Sequence, residues 1–268
     1  MDVWRWMESD PADGATQMAT DRAVLENAME LGIPTMRVYR WNPYCVSLGY
    51  HQSLESIDLD RCCEKGVDVV RRPTGGRAVF HAEEVTYSVV IPEGNSNYSR
   101  STGEVYNLIS RGLVRGIRKL GVLAELQRRS PDLGTHYESS LSVSCFSAAA
   151  RYEVVVEGKK LVGSAQRRMS GGVLQHGSIL TGDAHLALPE YIRGVGPEER
   201  KRMRELMEEK TVSIGGYLGR KVDYGEVVEA IKRGMEKEVS ITFEVSELIE
   251  KEGRRVHDLW KSFSIFSN

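Results

Sequence analysis

No run of this 268-residue sequence approaches the roughly 18 consecutive apolar residues that a membrane-spanning helix needs, so no membrane partner is expected. The first residues, Met1-Asp2-Val3-Trp4-Arg5-Trp6, lack the basic start and apolar stretch of a secretion signal, and a cytoplasmic location is expected. An excess of one charge is lacking too. Lys and Arg number 36 against 38 Asp and Glu, and the net charge of -2 argues against a bulk nucleic-acid binder.

Cysteine is sparse: Cys45, Cys62, Cys63 and Cys145 are all there is. Adjacent Cys62 and Cys63 suit neither an ordinary bridge nor the Cys-x-x-Cys spacing of a zinc site, so reduced thiols are expected. The histidines, His51, His81, His136, His176, His185 and His257, show no metal-ligand spacing, and no metal is expected. Also missing are the Walker loop Gly-x-x-x-x-Gly-Lys, the dinucleotide motif Gly-x-Gly-x-x-Gly and the hydrolase elbow Gly-x-Ser-x-Gly. No repeat, low-complexity stretch or linker divides the chain, which favours one unit over two small domains.

What is present is an ordinary globular composition, 41% hydrophobic and 28% charged, long enough to bury a core without disulfides or metal. Apolar residues at helical spacing predict helices over 21–31, 54–65, 103–120, 197–210, 224–238 and 246–261. Short β-branched runs predict strands over 35–40, 45–50, 67–71, 77–80, 85–91, 152–156, 159–166 and 173–180. The polar, Ser-rich stretch 128–143 reads as a loop. Strands and helices mix without a βαβ rhythm. The expected class is therefore α+β, with largely antiparallel or mixed sheets flanked by helices.

Three segments could carry chemistry. The first runs from Arg71 to His81 and includes Arg72, Gly75 and Gly76. Glycines at a strand end let the backbone approach a ligand, and arginines hold anionic or carbonyl groups by charge-assisted hydrogen bonds. A tight hairpin with solvated arginines fits the same residues. The second is Cys145, which either packs as a small hydrophobe or faces a cleft. A turn at Glu157-Gly158 would fold 159–166 back on 152–156 and bring Lys160 to the level of Cys145. There an ammonium would favour thiolate over thiol. Two exposed strand-edge lysines are the alternative. The third is Leu174-Gln175-His176-Gly177-Ser178-Ile179, where His176 is either a structural residue or a base.

Together with 152–166, these segments resemble the lipoate–protein ligase and biotin ligase superfamily, most nearly its LipM-type octanoyltransferases. The resemblance covers about residues 3–240, with the motifs in the same order and at comparable separations. It implies a biotin/lipoate ligase-like catalytic domain over about 30–243 within a single 1–268 acyltransferase unit, with 244–268 as a helical C-terminal extension. It also implies that Cys145 carries the acyl group as a thioester while Lys160 lowers its pKa. Substrate-binding roles follow for Arg72, Gly75, Gly76, His81, Gly163, Ser164, His176 and Gly177. The donor would be octanoyl-acyl carrier protein. The acceptor would be a lysine of a lipoyl domain or of the glycine-cleavage H protein, and the enzyme would be a monomer that needs no cofactor. An ATP-dependent lipoate–protein ligase and a non-catalytic acyl-binding protein are the alternatives. Arg111, Arg115 and Arg118 fall at helical spacing and would form a basic stripe, either a docking face for acidic carrier proteins or a solvated helix surface.

Overall fold

The computed structural model describes residues 2–99, 101–128, 152–169 and 171–266. Its strands form two sheets of mixed direction, in agreement with the α+β expectation. The larger sheet contains β1 (Asp2–Glu8), β2 (Thr35–Tyr39), β6 (Glu84–Pro92), β7 (Glu125–Arg128), β8 (Tyr152–Val156), β9 (Lys159–Met169), β10 (Gly172–Leu180) and β11 (Ile241–Val245). Their order is β11-β1-β2-β6-β10-β9-β8-β7, parallel at the two β1 pairings and antiparallel from β2 onward. The smaller sheet has the order β4-β3-β5, from β4 (Asp68–Arg71), β3 (Cys45–Leu48) and β5 (Val79–His81).

Alternation along β6 explains the layering. Val85, Tyr87, Val89 and Ile91 join the main core under α3 (Thr102–Arg118) and α6 (Tyr224–Val239). Val90 points the other way and packs with Leu25 and Ala28 of α1 (Gly14–Leu31). Helices α3 and α6 touch closely because Gly116 and Gly234 face each other. A Cβ built on Gly234 would lie 2.3 Å from the Gly116 nitrogen. The small sheet has its own core with α2 (Leu59–Glu64), a 3-10 segment Ala184–Tyr191 and α4 (Pro197–Lys210).

Several elements depart from the sequence expectation. Helix α1 begins at Gly14, where Asp13 accepts from the Thr16 N–H as N-cap. Its early turns escaped because Gln17, Thr20 and Asp21 are buried polar residues, which blur an apolar stripe. Strands β1 and β11 were not expected, nor was the short α5 (Ile214–Leu218). The expected helix over 54–65 is a 3-10 turn, Leu54–Ser56, followed by α2. The C-terminal helix α7 spans Glu250–Phe263; ahead of it, Ser246 donates its N–H to the Trp6 carbonyl. Arg128 ends a strand rather than opening a loop.

Helix α7 lies against α1 and is tied to the sheet through Glu252. The Glu252 carboxylate accepts from Arg5 and from Asn27 Nδ2 at 3.0 Å. Trp260 Nε1 donates to Asp13 Oδ1 at 3.1 Å.

Candidate acyl-binding site

The face of the large sheet turned away from α3 and α6 meets the small sheet and α1 around a small, partly open cavity. Met18 of α1 and Tyr39, Trp41 and Val79 give it apolar wall. Ser47, Arg72, His81, Thr86, His176 and Ser178 supply polar atoms, and Gly163, Ser164 and Gly177 supply backbone.

Those polar side chains are paired among themselves. Asp21 is 1% exposed and accepts from Arg37 Nη1 at 2.7 Å, Ser88 Oγ at 2.8 Å and Tyr39 Oη at 3.0 Å. Its second oxygen is 3.4 Å from His176 Nδ1, and His176 Nε2 is 2.5 Å from Thr74 Oγ1. Burial pushes the Asp21 pKa up, but the His176 hydrogen bond and the Arg37 charge outweigh it and hold the group below the usual carboxylate range. His176 is shifted down, because burial disfavours the imidazolium more than Asp21 favours it. A neutral His176 therefore donates from Nδ1 to Asp21 and accepts the Thr74 hydroxyl proton at Nε2.

A second chain has the same pattern. His81 Nδ1 is 2.7 Å from Glu84 Oε1 and His81 Nε2 is 2.7 Å from Ser47 Oγ. Thr86 and Ser178 hydroxyls also donate to Glu84 Oε1, at 2.6 and 2.8 Å. Burial raises the Glu84 pKa, yet the His81 charge and these hydrogen bonds leave it lowered overall. Trp41 stacks on the His81 ring with centroids 4.2 Å apart and donates Nε1–H to Thr86 Oγ1 at 2.7 Å. The order Ser47–His81–Glu84 is that of a hydrolase triad. However, Ser47 lies inside strand β3, not on a turn, and Arg72 Nη1 donates to its hydroxyl oxygen at 3.2 Å. The first chain fixes the His176 tautomer; in the second, Glu84 Oε1 gathers three donors while its buried Oε2 has no hydrogen-bond partner among the described residues.

Of the residues singled out from sequence, Arg72, His81, Gly163, Ser164, His176 and Gly177 line this one cavity. Gly75 and Gly76 do not, because they shape the turn behind it. Arg72 Nη2 donates to the Gly75 carbonyl at 2.8 Å. The Gly76 carbonyl comes so close to Gly49 that a Cβ there would stand 1.9 Å away. Gly177 is equally constrained, since a Cβ on it would lie 2.4 Å from the Gly163 carbonyl. Asp21, Ser47, Glu84 and Thr86 were missed. The one sequence signal for any of them is Glu84 following His81 by three residues.

Lys160 lies on β9, directly after the Glu157-Gly158 turn. It is 5% exposed and its Nζ is 3.1 Å from buried Glu153 Oε1, so it is not a strand-edge surface charge. Its carbonyl accepts from Val212 at 3.1 Å. Cys145 lies outside the described residues. Of the other cysteines, Cys45 is buried and its thiol pKa is pushed well up by burial; burial also raises Cys62, to about 12. Neither favours thiolate at neutral pH. Among the described residues no cluster of His, Cys, Asp or Glu could hold a metal, and no helix is long and apolar enough to cross a membrane.

The expected basic stripe is partly neutralised. Arg111 and Arg115 both pair with Glu238 of α6, Arg115 at 3.0 Å, and Arg118 Nε donates to the Ala124 carbonyl at 2.6 Å. The helix that carries it covers the opposite face of the large sheet from the cavity.

Residues 13–236 match the model of the lipoyl protein ligase A/B catalytic domain. The chain is 39% identical over 265 residues to an octanoyltransferase LipM of Kyrpidia tusciae, covering 98% of this chain and 97% of that one. A second octanoyltransferase LipM, from Clostridioides difficile, is 36% identical, with the same coverage of 98% and 97%. Among solved structures, a bipartite lipoate protein ligase of Thermoplasma acidophilum superposes with a TM-score of 0.78 at 23% identity, covering 97% and 93% of the two chains. A lipoate-protein ligase A bound with ATP gives 0.76 at 23%, covering 97% and 95%. At these identities the structural likeness speaks for the fold alone.

Proposed function

Because the chain belongs to the lipoyl protein ligase A/B catalytic-domain family, we infer that it is an octanoyltransferase acting in protein lipoylation. The observation that carries this is its identity of 35–39% to several octanoyltransferases over nearly the whole of both chains. The enzyme is an acyltransferase, and the cavity beside His176 and His81 offers Met18, Tyr39, Trp41 and Val79 as apolar wall for an acyl chain.

In our reading the donor is octanoyl-acyl carrier protein, and the acceptor is a lysine of a lipoyl domain or glycine-cleavage H protein. The Cys145 thiolate attacks the thioester carbonyl, the carbonyl–sulfur bond to the carrier breaks, and the departing carrier sulfur takes a proton relayed by Lys160. The acceptor amine then attacks the enzyme thioester. An amide forms, its surplus proton passes to Lys160, and Cys145 leaves as thiolate. The Glu153 carboxylate positions the Lys160 ammonium for both transfers. Thioester exchange is nearly isoenergetic and needs no nucleotide. Arg72, His81, Gly163, Ser164, His176 and Gly177 are assigned to binding the acyl group; Gly75 and Gly76 act by holding the turn that fixes Arg72. We propose that the protein works as a monomer in the cytoplasm.

Incubation with octanoyl-carrier protein in the absence of ATP, followed by intact mass measurement, tests the reading. A single octanoyl adduct is expected, and it should be absent from Cys145→Ser. Acyl transfer that occurs only when ATP is supplied would overturn it.

A further inference from the structure

Beside the acyl cavity, and sharing Arg72 with it, runs an open groove bounded by the turn after β4, by β9, and by helices α1 and α7. Among the described residues five arginines line it, Arg22, Arg71, Arg72, Arg167 and Arg255, and no acidic side chain does. Arg71 and Arg167 are held by neutral groups. Arg71 Nη1 is held by the Gly49, Tyr50 and Gln52 carbonyls, at 3.0, 3.2 and 2.5 Å. Arg167 Nη1 donates to the Pro73 carbonyl at 2.7 Å, and its guanidinium lies 4.0 Å over the Tyr50 ring. These are neutral acceptors that orient a guanidinium and leave its charge in place. Arg22 and Arg255 share the carboxylate of Glu26, at 2.7 Å each, and Arg255 also feels the Asp258 carboxylate one helical turn on.

Fixed guanidinium forks of this kind match tetrahedral oxyanions. The ligand must also belong to a molecule whose neighbouring part enters the cavity, since Arg72 lines both. Of the two substrates, the acceptor brings a lysine amine and no phosphate. A carrier-borne thioester instead hangs from a phosphopantetheine arm with a phosphodiester along its length.

We propose that this groove is the docking track for the phosphodiester of the donor's phosphopantetheine arm, gripped chiefly by Arg71, Arg167 and Arg255. The proposal rests on the donor assigned above, but its test does not require turnover. Full-length protein is titrated by calorimetry with unacylated 4′-phosphopantetheine, with pantetheine, and with carrier protein lacking its arm. Phosphopantetheine is expected to bind at least about tenfold more tightly than pantetheine. The double variant R167Q/R255Q, its melting temperature checked against the parent, should abolish that difference. Equal binding of the two small ligands overturns the proposal. So does a phosphate preference that survives in the variant, or an armless carrier that binds while phosphopantetheine does not. If phosphopantetheine binds as expected and no octanoyl adduct forms, the transferase reading fails and the groove stands.

Discussion

Removing Asp21 should be among the most damaging single changes near the cavity, and the structure gives its size. The Arg37 side chain is 1% exposed and the Asp21 carboxylate 0%, so Asp21→Ala strands a buried guanidinium whose remaining partners are Gln17 and Ser9. Breaking a buried pair from one side costs about 3–5 kcal/mol. The Tyr39 and Ser88 hydroxyls, at 3.0 and 2.8 Å, lose an acceptor as well, so the upper part of that range applies. For a chain of this length the change lowers the melting temperature by on the order of 10 °C. Asp21→Asn keeps an acceptor for Arg37 and should cost about half as much. Because the folded-state pKa of Asp21 lies below its ordinary 3.8, its contribution is complete above the unfolded value and fades as pH falls through the folded one. The gap between wild type and Asp21→Asn should therefore be constant from neutral pH down to about 5 and narrow in stronger acid. Urea unfolding followed by tryptophan fluorescence, repeated across pH, measures both quantities. A loss below about 1 kcal/mol for Asp21→Ala would refute the claim that this pair is desolvated and holds α1 to the sheet.

Two further predictions concern the cavity walls. His176 has its pKa lowered by burial, so unfolding takes up a proton as pH drops below 6.5. Wild-type stability should fall from pH 7 toward 5.5, and His176→Gln should flatten that slope in denaturant titrations; an unchanged slope would remove His176 as a buried neutral imidazole. Trp41→Ala opens the wall stacked on His81, costs about 3–5 kcal/mol, and should shift transfer toward decanoyl over octanoyl donors. An unchanged ratio of the two rates would place the acyl chain elsewhere.

The regular elements were legible where one period ruled. Helix α4 starts at Pro197 and ends at Lys210 as its sequence predicts, because Pro at the first helical position marks the start. The strands β8 to β10 were readable from β-branched runs and their turns. Helix α1 was readable only in its second half, because the face it buries carries Gln17, Asp21 and Asn27, and periodicity counts such residues as solvent-facing. Strand β1 alternates tryptophan with valine and arginine over a few residues, and its partner β11 is distant in sequence, so neither had a local signal. For the site, the glycine- and histidine-bearing motifs stood out by composition. Ser47 and Thr86 are ordinary strand residues until tertiary contact sets them against His81 and Glu84, and the groove of arginines exists only once α7 folds against α1.

The parallel pairing of β1 with β11 also bears on how the molecule is made. During synthesis β1 can join β2 early, but its outer edge has no partner until some 230 residues later, when Ile241–Val245 emerges from the ribosome. Until then a strand carrying Trp4 and Trp6 presents an open edge, the kind of surface on which nascent chains associate wrongly. Helix α7, anchored to Arg5 through Glu252, follows at once and seals that side. Closure of that edge is thus deferred until Ile241–Val245 has been made, long after the rest of the large sheet.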